Sequence, residues 1–241
     1  MCIILFAFDQ HPDHPLILLA NRDEFYDRPT LAADHWKDLP TIYGGRDLVG
    51  GGTWLGVTKS GRFAAVTNYR DPSAPHGTRT RGGLVTEFLA SAVPAENYMD
   101  LVRASAQEYS GFNLIVGEIS KEESRVFYFS NRSSAIQKLT PGIYGLSNHL
   151  LDSPWPKVVK GKARLTELLN KNEISESGFF DILADETTAA EELLPSTGIP
   201  FEAEKALSAT FIKTPGYGTR CSTVMIFDPN FEWNFTERVF V

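Results

Sequence analysis

The chain has 241 residues, 42% of them hydrophobic and 22% charged, with a net charge of −7, a globular composition long enough to bury a sizeable core in one domain spanning 1–241. No apolar run reaches the ~18 residues of a membrane helix, and an acidic chain without a long basic run is poorly matched to phosphates, so neither a membrane span nor nucleic acid is expected. With only Cys2 and Cys221 there is no disulfide framework, and the opening MCIILFAFDQ lacks the basic residues and cleavage site of a secretory signal; a cytoplasmic protein with a small-molecule or protein partner is expected.

Residues 2–8 and 15–21 are short apolar runs joined by His11-Pro12-Asp13-His14, which predicts an antiparallel pair of buried strands. From Arg22 to Val57 the text is rich in Asp, Pro and Gly, including Gly50-Gly51-Gly52, and predicts loops and tight turns rather than long elements. A second hairpin follows, Trp54–Val57 with Arg62–Asn68 around Ser60-Gly61, and then a polar loop over 69–82. Leu84, Phe88 and Leu89 fall on one helical face, as do Tyr98, Leu101, Val102 and Ala106 of a second helix.

Strands return at 112–116, 125–129 and 143–148. Ser153-Pro154 reads as the entry to a helix with Val158, Leu165, Leu168 and Leu169 on one side, another helix is expected near 176–184, and strands at 208–213, 221–228 and 231–240 end the chain. Strands, helices, strands, helices, strands, with no linker or repeat, predict an α+β fold of sheets between helical layers.

Chemistry concentrates at the chain start. If Met1 is removed, Cys2 carries a thiol and a free α-amine together, and an amine of pKa about 7.7–8.0 is a base matched to neutral pH. The competing reading of Cys2 is a small buried hydrophobe in a strand. Ala20-Asn21-Arg22-Asp23-Glu24 closes the second strand, and hairpin pairing brings a cation and two carboxylates near the thiol. Arg22 lowers a thiol pKa through space, and Asp23 can orient the amine; a loop salt bridge explains them equally well at this stage. Asn68 and Asn148 end strands and carry amides suited to an oxyanion, although each is also an ordinary turn residue. Arg220 opens the strand of Cys221.

Met1-Cys2-Ile3, Asn21-Arg22-Asp23-Glu24, Gly51-Gly52-Thr53-Trp54-Leu55-Gly56, Thr67-Asn68-Tyr69-Arg70, Arg81-Gly82-Gly83-Leu84, Asn113-Leu114, Tyr144-Gly145-Leu146-Ser147-Asn148 and Thr219-Arg220-Cys221-Ser222-Thr223 together resemble the NRDE family, also called the transport and Golgi organisation protein 2 family. The resemblance spans almost the whole chain. It implies a four-layer α-β-β-α sandwich like that of the N-terminal-nucleophile (Ntn) hydrolases, and a kinship with penicillin V and bile-salt acylases. Carried onto this sequence, it implies Cys2 as nucleophile, its α-amine as base, Arg22 and Asp23 as partners, Asn68 and Asn148 as oxyanion or amine contacts, and Arg220 as electrostatic support. Asn21, Glu24, Trp54, Arg70 and Arg81 are the candidate substrate contacts.

One departure stands out: the acylases separate their Arg and Asp by two residues, whereas Arg22 and Asp23 are adjacent and alternate in a continuous strand. Either the strand bends or only one of them reaches Cys2. The resemblance also leaves two functions open, a cysteine amidohydrolase acting on a small amide or acyl substrate, and a trafficking protein that holds haem, acyl-CoA or lipid in the same pocket.

The Gly50–Gly56 run lacks the Lys-Ser/Thr ending of a phosphate loop and the spacing of a dinucleotide fingerprint. His11 and His14 have no second ligand cluster. No metal or cofactor is therefore expected. Arg70, Arg79 and Arg81 form either a solvated loop or a dock for an anionic substrate tail.

Overall fold

Ile3, Leu5 and Ala7 alternate with Ile4, Phe6 and Phe8 along the first strand, apolar on both faces as a strand covered from two sides must be. The structure, a computed structural model, describes residues 2–241; Met1, on whose removal the free amine depends, lies outside them. The strands are β1 (Cys2–His11), β2 (His14–Phe25), β3 (Thr30–His35), β4 (Ile42–Asp47), β5 (Leu55–Thr58), β6 (Arg62–Asn68), β7 (Phe112–Glu118), β8 (Arg125–Ser130), β9 (Gln137–Lys138), β10 (Gly142–Leu146), β11 (Lys213–Thr214), β12 (Tyr217–Phe227) and β13 (Trp233–Val239). The helices are α1 (Arg81–Ala90), α2 (Ala95–Ala104), α3 (Pro156–Asn170), α4 (Glu176–Leu183) and α5 (Phe201–Ala206).

Among the described residues these strands make two antiparallel sheets. One runs β10-β1-β2-β12-β11 with β13 also on β12, and the other runs from β3 through β9 in chain order. Three apolar clusters stack the layers. Phe6, Leu18 and Ala20 meet Val57, Phe63 and Ile115 between the sheets. Leu84, Phe88 and Met99 of α1 and α2 cover the outer face of the second sheet, and Leu165 with Phe179 and Phe180 of α3 and α4 covers Ile3, Leu5 and Ile17 of the first. The result is the four-layer α-β-β-α sandwich. Each such side chain, fully buried, contributes roughly 1.5–3 kcal/mol.

Several elements differ from expectation. The 22–57 stretch is not mostly loop: β2 continues to Phe25 and β3 and β4 form in it. β3 is an edge strand, largely exposed, so it carries none of the apolar alternation by which a half-buried strand is read. Ala106 lies in a separate short turn after α2, and Leu101 is 58% exposed rather than on the buried face. The third long helix starts at Pro156 with Trp155 at its cap, while Ser153 Oγ hydrogen-bonds His149 Nδ1 at 2.7 Å instead of capping it.

Residues 208–212, buried except for the half-buried Phe211, lie outside the strands. The Phe211 N–H donates to the Asp185 carbonyl, and the Thr210 carbonyl accepts from the Asn21 side chain, so side-chain and loop bonds replace a ladder. Only Lys213–Thr214 pairs as β11, and helix α5 precedes it. β10 ends at Leu146, two residues before Asn148, and β12 begins at Tyr217, so Arg220 lies inside that strand rather than opening it.

Candidate active site

The β1–β2 register sets Cys2 directly opposite Arg22, followed by Ile3 opposite Asn21 and Ile4 opposite Ala20. Because side chains alternate along a strand, Cys2 and Arg22 share the face of Ile4 and Ala20, toward the second sheet, whereas Asn21 and Asp23 share the face of Ile3 and Leu19, toward α3 and α4. The adjacency of Arg22 and Asp23, which lie opposite the register shift of β12 between Thr219 and Cys221, resolves into two different contacts with Cys2. Arg22 acts from the same face. Asp23 acts through its backbone N–H, which donates to the thiol, and through its charge. Cys2 is half-buried; burial pushes its thiol up, the Asp23 charge adds to this, and the Asp23 N–H and Arg22 only partly offset it.

A cavity of about 270 Å³ opens in front of Cys2 at the end of the sandwich. Arg22, Asp23 and Glu24 line it from the first sheet, Trp54, Val66 and Asn68 from the second, and Thr80, Arg81 and Gly82 from the start of α1. Arg22 is held rigidly: its guanidinium lies 4.1 Å from the Trp54 ring centroid and donates to Thr30 Oγ1 at 3.1 Å and Asp47 Oδ2 at 3.2 Å. Asp47 also accepts from Arg28 Nε at 2.7 Å and from the Val49 and Gly50 N–H groups. Burial pushes its carboxyl up, but these bonds outweigh burial and hold it below the usual carboxylate range. Asp47 is thus a permanent counter-charge for Arg22. Gly52 is a glycine for a reason of space, since a Cβ there would lie 2.4 Å from the Gly82 backbone; the glycine run lets the start of α1 close on the cavity.

Arg81, the first residue of α1, donates to the Gly111 carbonyl at 3.2 Å and makes no ion pair with a described carboxylate. Arg79, also lining the cavity, is bound by Glu87 and Glu108. Arg81 thus stands as a cation beside the thiol without a carboxylate on it.

The remaining sequence-based candidates lie elsewhere. Asn148 Nδ2 donates to the Asn68 carbonyl at 2.9 Å, Ser147 Oγ donates to the Cys2 carbonyl at 3.0 Å, and Thr67 Oγ1 donates to the Ser147 carbonyl at 2.7 Å. This lattice ties the two sheets together behind the site and fixes Asn68 relative to Cys2. Asn21 donates to the Leu183 and Thr210 carbonyls and accepts from Ser222 Oγ, so its amide is consumed on the helix side. Arg70 pairs with Glu204 at 2.5 Å and lies over the Trp155 ring. Arg220 lies at the register shift between Thr219 and Cys221 and donates to the Phe25, Arg28 and Val241 carbonyls. None of these four lines the cavity.

Three further residues act on Asp23: Thr219, inside the Thr219–Thr223 motif but given no role from it, and Tyr217 and Lys157, which no motif marks. Thr219 Oγ1 donates to Asp23 Oδ1 at 2.7 Å and the Tyr217 hydroxyl donates to the Asp23 carbonyl at 3.0 Å. Lys157, at the start of α3, is 3% exposed and its ammonium acts on Asp23. One sequence signal existed for it: Lys157, Gly161 and Leu165 recur at a spacing of four along the buried stripe of α3.

Two antiparallel sheets between helical layers, with a cysteine at the head of the first strand facing a cavity between the sheets, define a chain of the Ntn-hydrolase fold. A solved structure, the Caenorhabditis elegans N-acylethanolamine-hydrolyzing acid amidase ortholog, superposes with a TM-score of 0.56 over 100% of both chains at 13% identity, a likeness of fold. The chain belongs to the Transport and Golgi organisation 2 family, whose model matches residues 1–241. The Transport and Golgi organization protein 2 homolog of Homo sapiens is 38% identical over 255 residues, covering 99% of this chain and 92% of that protein. The Transport and Golgi organization protein 2 of Drosophila melanogaster is 29% identical, over 98% and 91%. No helix among the described residues is long and apolar enough to cross a membrane.

Proposed function

We propose that this chain is an amidohydrolase that uses the Cys2 thiol as nucleophile and the Cys2 α-amine, freed by removal of Met1, as base. The observation that carries this reading is the pairing of Cys2 with Arg22 on one face at the cavity, with the Asp23 N–H on the sulfur. A thiol pushed up by burial needs a base, and an α-amine on the same residue supplies one. The amine takes the thiol proton, sulfur bonds to the substrate carbonyl carbon, and the tetrahedral oxyanion collapses with cleavage of the C–N bond. The leaving amine takes up the proton, and a water deprotonated by the same α-amine then releases the acid from the thioester. Asn68 faces the oxyanion; Asn148 and Arg220 are assigned supporting roles, because their polar groups are engaged by backbone carbonyls.

Mass spectrometry of the intact protein identifies the first residue, and iodoacetamide then compares the two thiols. Cys221 is buried, with burial and Glu237 raising its thiol well above the usual range, so Cys2 is expected to alkylate at least tenfold faster near neutral pH. Equal rates would overturn the reading.

Arg81 favours a second use of the same cavity, the holding of haem, acyl-CoA or lipid through an anionic group, since it offers a cation without a carboxylate partner among the described residues. Haem titration tests it: a Soret shift at micromolar haem that Arg81→Met weakens supports this use, and an unshifted band argues against it.

A further inference from the structure

We propose that Lys157 is a positioning residue of the Cys2 site, acting from behind the sheet as the counter-charge of the Asp23 carboxylate without touching substrate. The proposal rests on the reading of Cys2 as nucleophile and adds a residue to it.

Lys157 is the second residue of α3, the helix that packs on β1 and β10. It is buried at 3% exposure, and its Nζ has no hydrogen-bond partner among the described residues. A buried ammonium without a partner is costly, and the start of a helix is the wrong end for a cation, because the unsatisfied N–H groups there already carry positive charge. Packing gives no reason for it either, since its neighbours on the buried stripe are Val158, Gly161 and Leu165. A Met would fill the same space at lower cost.

The charges around it explain its presence. From β2, Asp23 faces this helix layer, buried at 1% exposure with Oδ1 bonded to Thr219. From β1 comes Cys2, and from the turn after β6 comes Arg70, itself paired to Glu204 of α5. Tyr217 of β12 bonds the Asp23 carbonyl. Lys162, farther along α3, pairs with Asp152 ahead of the helix. Burial lowers the Lys157 ammonium to about 8, Asp23 is the strongest charge holding it up, and Arg70 opposes it. Reciprocally, burial pushes Asp23 up, and Lys157 is the strongest of the charges that oppose this. Lys157 thus favours the charged form of a carboxylate beside the head of β1, where the α-amine would sit.

The sign of its effect follows from Coulomb's law: deleting a positive charge strengthens the hold of every neighbouring group on its proton. In Lys157→Met the titration midpoint of the Asp23 carboxyl, followed by carbon NMR, is expected to rise by about one pH unit or more. The acid limb of Cys2 alkylation should move in the same direction, slowing the reaction about tenfold below that limb. The thermal midpoint should fall, since the buried Asp23 carboxylate loses its counter-charge, so both titrations are read well below the new midpoint, and Lys157→Arg should return the alkylation profile toward the parent.

An unmoved Asp23 midpoint in the folded Met variant overturns the proposal. So does a shifted Asp23 with an unmoved Cys2 profile, which would make Lys157 a structural counter-ion only. Failure of the nucleophile reading itself appears earlier and separately, as a Cys2 no faster than Cys221 in the unaltered protein.

Discussion

Protein whose chain begins at Cys2 is expected to hydrolyse a suitable amide about 10²–10⁴-fold faster than protein that retains Met1, the range that a positioned general base contributes. The difference comes from one group. With Met1 attached, the Cys2 nitrogen is an amide that cannot accept a proton, and the thiol must ionise without a base on its own residue. Burial and the Asp23 charge disfavour that ionisation, and the N-terminal ammonium, the Asp23 N–H and Arg22 only partly offset them. A raised thiol pKa means that thiolate is scarce at neutral pH and increases about tenfold per pH unit until the pKa is reached. Alkylation of the Met1-bearing form should therefore climb with pH beyond the range of an ordinary thiol, whereas the processed form should level off near the titration of its α-amine.

Intact-mass measurement during turnover supplies the second readout. An acyl adduct should appear on the processed chain and be absent from Cys2→Ala. Equal turnover by the two N-terminal forms would remove the amine from the mechanism, and turnover by Cys2→Ala would remove the thiol.

The hairpin that carries this chemistry was legible because both of its strands are apolar on two faces and its turn is marked by Pro12. Pairing it brought Arg22 to Cys2 without any long-range information. What the sequence could not give was the face each side chain takes, because a register error of one residue exchanges the two faces completely. The second sheet was half legible for a related reason: β6, β7 and β8 are central and apolar, whereas β3 and β4 are peripheral and polar and look like loop. Asn148 was read by residue type as an oxyanion group, and Arg220 took its electrostatic role from the family resemblance. Residue type does not reveal that a carbonyl from another segment will occupy the amide or the guanidinium. Lys157 was missed because a lysine in an amphipathic helix is ordinarily on the wet face, and its phase with Gly161 and Leu165 was the one clue.

Arg220→Ala is expected to destabilise the fold by about 3–5 kcal/mol, the scale of leaving three carbonyls without their charged donor. Arg220 is buried on β12 at the bulge opposite Arg22 and Asp23, and its guanidinium gathers the carbonyls of Phe25, Arg28 and Val241, binding the end of β2, the turn after it and the C-terminal residue. Each carbonyl stripped of its donor and kept from water costs about 1–3 kcal/mol. For a chain of this length such a loss lowers the thermal midpoint by very roughly 6–20 °C, at about 2–4 °C per kcal/mol. The same substitution separates the two roles for this residue. As a structural tie, Arg220 leaves Cys2 alkylation in the still-folded variant, measured well below the new midpoint, within about twofold of the parent. An electrostatic support acting on the thiol would slow alkylation by tenfold or more while leaving the melting curve nearly unchanged. The tie reading is the one the contacts favour, because Arg28, which Arg220 holds by its carbonyl, in turn donates to Asp47, the counter-charge of Arg22. Arg220 therefore reaches the site through backbone position, with Arg28, Asp47 and Arg22 between it and the sulfur.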